Sequence, residues 1–229
     1  MIKSILIWAL RTIAAFAIFS IVVVAIFRVV PPAVTPLMVL RLIQAPFTGK
    51  SMLVKHHWVP MNDIATHMGR ALISSEDAGF MRHSGIDWKA VNTAKRANIV
   101  RVRKGKPPLG ASTISMQTCK NVFLGPWRSM IRKGAEVYFV YLTEALWGKK
   151  RILEVYMNMI EWGDGIYGIH QGATSWFSKE PSDISAEQAS LLAAIVPNPR
   201  RFSASAPSPY TRRKAAWIRG RMRRVSAPK

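Results

Sequence analysis

The stretch SSEDAGFMRHSGID, residues 74–87, sets Glu76 and Asp77 side by side, with His83 and Asp87 close behind. Carboxylates and an imidazole are the side chains that accept and return protons in a cleft. The chain spends its acids sparingly, with 33 Lys+Arg against 12 Asp+Glu. A helix that merely ends here, with its acids in solvent, would account for the same letters. Where the remaining acids fall separates the two explanations.

On IRKGAEVYFVYLTEALW, 131–147, Lys133, Glu136 and Glu144 share one helical face, and Ile131, Ala135, Tyr138, Leu142 and Leu146 share the opposite one. Val137, Val140 and Trp147 lie among the charges, so this helix is apolar nearly all round and is expected at the centre of a domain. A carboxylate there needs a partner or a water-filled cleft. Taken alone, Lys133–Glu136 reads as a structural i,i+3 pair. In KKRILEVYMNMIEW, Arg151, Glu154, Asn158 and Glu161 line one side, while Ile152, Tyr156 and Met159 face elsewhere. A solvated face suits Arg151 and Glu161 better than Glu154 and Asn158. In ASTISMQTCKN, a helix expected from Ser112, Thr113, Gln117 and Lys120 stack at i, i+4 and i+7. Three polar stripes on apolar helices, in a chain short of acid, point to a shared cleft.

Those helices belong to a chain of 229 residues that is 49% hydrophobic and carries eight Trp, which excludes a disordered chain. The single Cys119 rules out an internal disulfide. A net charge of +21 calls for an anionic partner: nucleic acid, an acidic membrane surface or a phosphate-bearing substrate. Thr12–Phe27 contains no charged residue, and the apolar run reaches back to Ile5 with Arg11 as its interruption. About 20 apolar residues cross a bilayer core. No small-x-small cleavage pattern follows, so residues 1–30 are expected to be an uncleaved anchor, spanning about 5–27, with its N-terminus in the cytoplasm. Residues 31–57 read as a juxtamembrane segment and 58–229 as the folded domain. In the domain, NDIATHMGRALISSED carries a buried helical stripe with Asn62 or Asp63 as its N-cap, and KRANIVRVRKGKPPLG, 95–110, reads as a mobile basic loop. ISAEQASLLAAIVPNP opens with a Ser185/Gln188 capping box, and TRRKAAWIRGRMRRV reads as a basic amphipathic helix. The fold class is mainly α.

These motifs together resemble the peptidoglycan glycosyltransferases, glycosyltransferase family 51. EDAGFMRHSGID is similar to the family's E-D-x-x-F-x-x-H-x-G-x-D, GASTISMQTCKN to G-x-S-T-x-x-x-Q-x-x-K-N, RKGAE to R-K-x-x-E, and RILEVYMN to E-x-x-x-N with its flank. GDGIYGIHQGATSWFSK and AEQASLLAAIVPNPRRF resemble the stretches that follow, so order and spacing agree over about residues 58–205. The anchor and the length resemble a monofunctional member. A formal S-x-x-K at Ser226–Lys229 stands at the end of the chain, where no transpeptidase domain is expected.

The resemblance implies a lysozyme-like, mainly α glycosyltransferase domain behind one transmembrane helix, in the bacterial inner membrane with its catalytic domain in the periplasm. It implies polymerisation of lipid II into β-1,4-linked glycan by inversion, with release of undecaprenyl diphosphate. By motif match Glu76 is the general base and Glu136 the second essential carboxylate. Lys133, Lys120, Gln117, Ser112, Thr113, Asn121 and Arg132 match positions that bind substrate and pyrophosphate. Asp77, Phe80, His83, Asp87, Glu154 and Asn158 match positions that shape the cleft. Carboxylates beside an anomeric carbon suit glycosyl transfer, and lysines can neutralise a diphosphate leaving group without a proton. Basic residues attracted to anionic lipid account for much of the +21 without nucleic acid. Expected partners are lipid II, the growing glycan-lipid, the inner membrane, and cell-wall synthesis and division proteins. No cofactor is required by the resemblance, and a divalent cation on the diphosphate stays open. His56 and His57 are adjacent and His67 and His170 isolated, with no metal-ligand spacing.

Two departures stand out: Met116 replaces the first Gln of the family's Gln-Gln pair, and Trp-Phe-Ser-Lys, 176–179, replaces Tyr-Phe-Gly-Lys. Two alternatives remain. A lytic muramidase of the same fold would cleave glycan, and an anchored basic binding protein would survive the loss of Glu76.

Overall fold

A computed structural model describes residues 2–48, 56–127 and 129–228. Met1 of the expected anchor, residues 49–55 of the juxtamembrane segment and Lys229 lie outside the described residues. The long apolar run forms α1, Ile2–Phe27, and the Pro-rich stretch after it leads into α2, Pro36–Thr48. The domain follows as α3 (Thr66–Glu76), α4 (Trp88–Arg103), α5 (Ile114–Phe123), α6 (Met130–Leu146) and α7 (Lys149–Met159). A two-stranded antiparallel hairpin, β1 (Glu161–Gly163) and β2 (Ile166–Tyr167), precedes α8 (Gly168–Phe177), α9 (Ala186–Ile195) and α10 (Pro209–Arg221). The mainly α class therefore holds.

α7 is the most deeply buried helix: Ile152, Leu153, Val155, Tyr156, Met157, Asn158 and Met159 are all inside. It packs against α5 and α8, and α5 in turn packs against α6. On the other side of the core, α3 lies against α9, which α10 covers with Ala215 and Ile218. The Ser185/Gln188 capping box forms as expected: Ser185 Oγ accepts from the Gln188 N–H, and Gln188 Oε1 from the Ser185 N–H. Met116 is buried in the core, where a thioether suits the site better than an amide.

Three local expectations are corrected. Residues 61–63 form a separate 3-10 turn, and α3 starts only after Ala65. The Met61 N–H is taken by Glu154 Oε2 and the Ala65 N–H by the Pro181 carbonyl, so neither Asn62 nor Asp63 caps the helix. The basic stretch expected to be a loop is helical to Arg103, and only the turn after it is irregular. Asp87 Oδ1 caps α4 at the Ala90 N–H, and the Asn98 amide bonds both the N–H and the carbonyl of Leu109. No residue of α4 is buried. α6 is also less central than its composition suggests. It buries Glu136, Phe139, Val140 and Thr143, while Met130 and Ile131 are exposed.

Part of the other apolar face of α6 meets α1. The hydroxyls of Ser20 and Tyr138 lie 2.6 Å apart, and Phe16 packs on Tyr138. Trp147 Nε1 donates to the Val24 carbonyl at 2.7 Å. The Arg151 guanidinium donates to the carbonyls of Phe27 and Val30, which satisfies the C-terminal end of α1 and complements its dipole. The helix is long and apolar enough to cross a membrane, and its last turns are docked on the domain.

The serine of Trp-Phe-Ser-Lys has a structural consequence. Ser178 ends α8 in the left-handed conformation, φ 52° and ψ 41°, where the family pattern has glycine. A side chain in that region costs about 1–2 kcal/mol. Ser178→Gly should therefore raise stability by about 1 kcal/mol, seen as a melting temperature higher by about 2–4 °C. An unchanged or lower melting temperature would show that the serine carries no conformational cost.

Candidate active site

Glu76 is the last residue of α3 and is partly buried. Its carboxylate receives two neutral donors: Ser75 Oγ at 3.0 Å on Oε1 and Gln117 Nε2 at 3.1 Å on Oε2. Gln117 is itself fixed, because the buried Tyr156 hydroxyl donates to its Oε1 at 3.0 Å. Burial raises the Tyr156 phenol well above its usual pKa, so it remains a donor and sets the amide's orientation. Beside Glu76 opens a pocket of about 290 Å³, lined also by Asp77, Gly79, Arg82, Asp87, Gly110, Ser112 and Thr113.

Asp77 and His83 build the floor of this region. His83 Nδ1 accepts from the Gly85 N–H, so Nε2 carries the proton and donates to Asp77 at 2.9 Å. Asp77 Oδ2 also accepts from the Ile114 N–H, the first residue of α5, while Thr113 caps that helix at the Met116 N–H. Asp77 thus ties the end of α3 to the start of the helix that carries Gln117. Phe80 is fully buried, with Lys149 Nζ 4.6 Å above its ring. Asp87 lines the pocket as the N-cap of α4.

A second cluster lies on α6. Glu136 is only 2% exposed, and both oxygens are occupied: Lys133 Nζ donates to Oε1 at 2.6 Å and Arg132 Nη1 to Oε2 at 2.5 Å. Arg132 Nε is buried without an acceptor among the described residues. Lys120 and Asn121 lie on α5, partly buried, one turn beyond Gln117. The two carboxylates therefore differ in kind, one held by neutral donors at a pocket wall and one neutralised by a pair of cations.

Glu154 and Asn158 are turned elsewhere. Glu154 pairs with Arg151 and accepts from the Met61 N–H, while Asn158 bonds both the N–H and the carbonyl of Val59. They pin the start of the domain to α7, and neither lines the pocket beside Glu76. Among the described residues no group of three or more His, Cys, Asp and Glu side chains could hold a metal. His56 bonds the Asn158 carbonyl and is held below its usual pKa chiefly by burial, and His57 packs on His170. Cys119 is buried beside Thr143 with its thiol pushed up to about 12 by desolvation.

A family profile for transglycosylases matches residues 46–223. The biosynthetic peptidoglycan transglycosylase of Rhodospirillum centenum is 45% identical over 210 residues, covering 92% of this chain and 87% of that protein. That of Pseudomonas syringae pv. syringae is 43% identical over 225 residues, 98% and 94% of the two chains. The protein so named in Bdellovibrio bacteriovorus is 39% identical, covering 95% and 83%. The chain belongs to the transglycosylase family.

In this transglycosylase the structure brings Glu76, Asp77, Asp87, Ser112 and Thr113 to one pocket, with Gln117 behind Glu76 and Arg132, Lys133 and Glu136 in a cluster of their own. Tyr156 is the residue that sequence reasoning passed over. Helical periodicity points it away from Glu154 and Asn158, and that same turn aims it at Gln117 across the α5–α7 contact. Its signal was an unpaired phenol on an otherwise buried helix, which must find a partner.

Proposed function

We propose that this transglycosylase polymerises lipid II at the outer face of the bacterial inner membrane, with Glu76 as general base and the α6 cations facing the diphosphate. The activity, peptidoglycan glycosyl transfer, follows from family membership and from relatives that align over nearly their whole length. The observation that carries the assignment of roles is the difference between the two carboxylates. Among the described residues Glu76 accepts hydrogen bonds from a hydroxyl and an amide, both neutral, which leaves it available to take a proton. Glu136 is spent on Arg132 and Lys133, so its task is to hold those cations in place. The buried Arg132 Nε, with no protein acceptor among the described residues, suits a phosphoryl oxygen.

In this scheme the acceptor's 4-hydroxyl loses its proton to Glu76 as its oxygen attacks the donor's anomeric carbon. The bond to the diphosphate breaks on the opposite side, and its electron pair leaves with the diphosphate, facing Arg132 and Lys133. Configuration inverts from α to β. The leaving group needs no proton, which sets this site apart from a hydrolase that must protonate a glycosidic oxygen.

The membrane supplies the geometry. Ser20, which meets Tyr138, lies seven residues before the end of α1, about 10 Å along the helix. Trp127 before α6, and Met130 and Ile131 in its first turn, are exposed and apolar, which suits contact with lipid. The N-terminus is cytoplasmic and the domain periplasmic.

The test is turnover by the purified full-length protein with lipid II in detergent and in liposomes. Glycan polymer with release of undecaprenyl diphosphate is the expected result. Shortening of preformed glycan with no polymer would establish the lytic activity instead.

A further inference from the structure

α4 is turned the wrong way round for a helix that faces water. Ala90, Ala94, Ala97 and Asn98 are its partly buried side, while Trp88, Ile99, Val100 and Val102 are each more than half exposed. A surface helix in solvent puts its large apolar side chains inward and its charges outward. Here the two kinds share the outside. At 100° per residue Trp88, Lys95, Arg96, Ile99, Val102 and Arg103 fall within about a third of the helix circumference, and all six are exposed. Residues 88–109 contain seven basic residues and no acid.

The turn after α4 extends this surface. Arg101 Nε donates to the Pro107 carbonyl at 2.9 Å, and the Asn98 side chain bonds both backbone groups of Leu109. The exposed Leu109 is thereby drawn back toward the helix, with the exposed Lys104 and Lys106 in the turn between. Bases interleaved with Trp and aliphatic side chains on one face suit an acidic membrane surface, which offers phosphates to the first and an acyl boundary to the second. With α1 in the bilayer, its docking through Trp147 and Arg151 keeps the whole domain at such a surface.

We propose that the outward face of α4 and its turn bind acidic phospholipid headgroups, and so seat the lip of the Glu76 pocket on the bilayer. Both ends of the segment belong to that lip. Asp87 and Ala90 line the pocket where α4 begins, and Gly110 and Ala111 line it where the chain returns. Arg82, exposed at the same pocket, adds to its positive edge. Headgroup contact along 88–109 therefore acts on both sides of the entrance. The proposal rests on the reading of a lipid-linked substrate, which comes to this pocket from the membrane.

Cys119 is the single cysteine and is fully buried, so an environment-sensitive dye on full-length Ile99→Cys reports α4 alone. The labelled protein is compared in detergent, in phosphatidylcholine vesicles, and in vesicles that also contain phosphatidylglycerol. Emission should shift to the blue only with phosphatidylglycerol, and high salt should reverse the shift. Exchanging Lys95, Arg96, Arg103 and Lys104 for Gln in the labelled protein should abolish it. In the unlabelled protein the same four changes should lower lipid II polymerisation in phosphatidylglycerol vesicles by about tenfold or more, because each base at an acidic surface favours contact about fivefold. Rates in detergent should match wild type. A thermal melt accompanies each variant, and if the fourfold variant melts early, Lys95→Gln with Arg96→Gln makes the same comparison. Unchanged emission in all three media would overturn the proposal, since the face would then stand in water. An equal shift in both kinds of vesicle would overturn the role of acidic headgroups, and a shift that grows with protein concentration in detergent would assign the face to a second copy of the chain. The dye needs no lipid II, so failure of the wild-type protein to polymerise in detergent would overturn the proposed function and leave the lipid contact to be read separately.

Discussion

A Glu76→Gln variant will fold and bind its lipid substrate but will not polymerise it, with turnover lower by about 10²–10⁴-fold. The amide fits the same contacts. Its oxygen can accept from Gln117 Nε2, its NH2 can donate to Ser75 Oγ, and Ser75 can pass its proton to the Ala193 carbonyl. No buried group is orphaned, so the melting temperature should stay close to wild type. What is lost is a lone pair basic enough to take the acceptor's proton. The measurement pairs turnover with lipid II binding, because a base removed without disturbing its pocket lowers the former and spares the latter. Wild-type turnover would remove Glu76 from the chemistry and leave the α6 cluster without a chemical partner.

The acids of the site were legible because the chain has so few of them, and a run such as EDAGFMRHSGID stands out against 33 basic residues. What each acid touches was not. Glu154 and Asn158 form the same i,i+4 pattern that a substrate-binding stripe would, yet they hold the backbone of Val59 and Met61. Periodicity gives the face of a helix and leaves open what stands opposite. α6 shows the same limit. Its all-round apolar composition suggests a central helix, but one face meets α1 through Tyr138, and the residues that are buried include Glu136. Residues 95–110 read as a loop because charge and Pro-Pro dominate them. The Asp87 N-cap and the Asn98–Leu109 hydrogen bonds, the latter spanning eleven residues, make the stretch a helix with a tied-back turn. The anchor's length was plain from hydropathy. Its docking through Val24, Phe27 and Val30 depends on Trp147 and Arg151, more than a hundred residues away.

Lys133→Ala should cut turnover by about 10²–10³-fold while costing little stability. Lys133 is 39% exposed along its side chain, and its partner Glu136 keeps the Arg132 guanidinium when the lysine is gone. A half-exposed i,i+3 pair contributes about 0.3–0.5 kcal/mol, so the fold should survive. On the proposed roles, however, the charge that develops on the departing diphosphate has then lost one of the two cations facing it. Lys133→Arg should recover part of the rate, because the charge returns on a planar fork of different reach. Glu136→Gln separates this effect from stability. It removes the negative charge and turns an NH2 toward one of the two cations, so it should lower the melting temperature as well as turnover, whereas Lys133→Ala should lower turnover alone. The decisive comparison is the rate at saturating lipid II set beside the melting curves of the three variants. Wild-type turnover by Lys133→Ala would mean that the lysine serves Glu136 and never meets the phosphates.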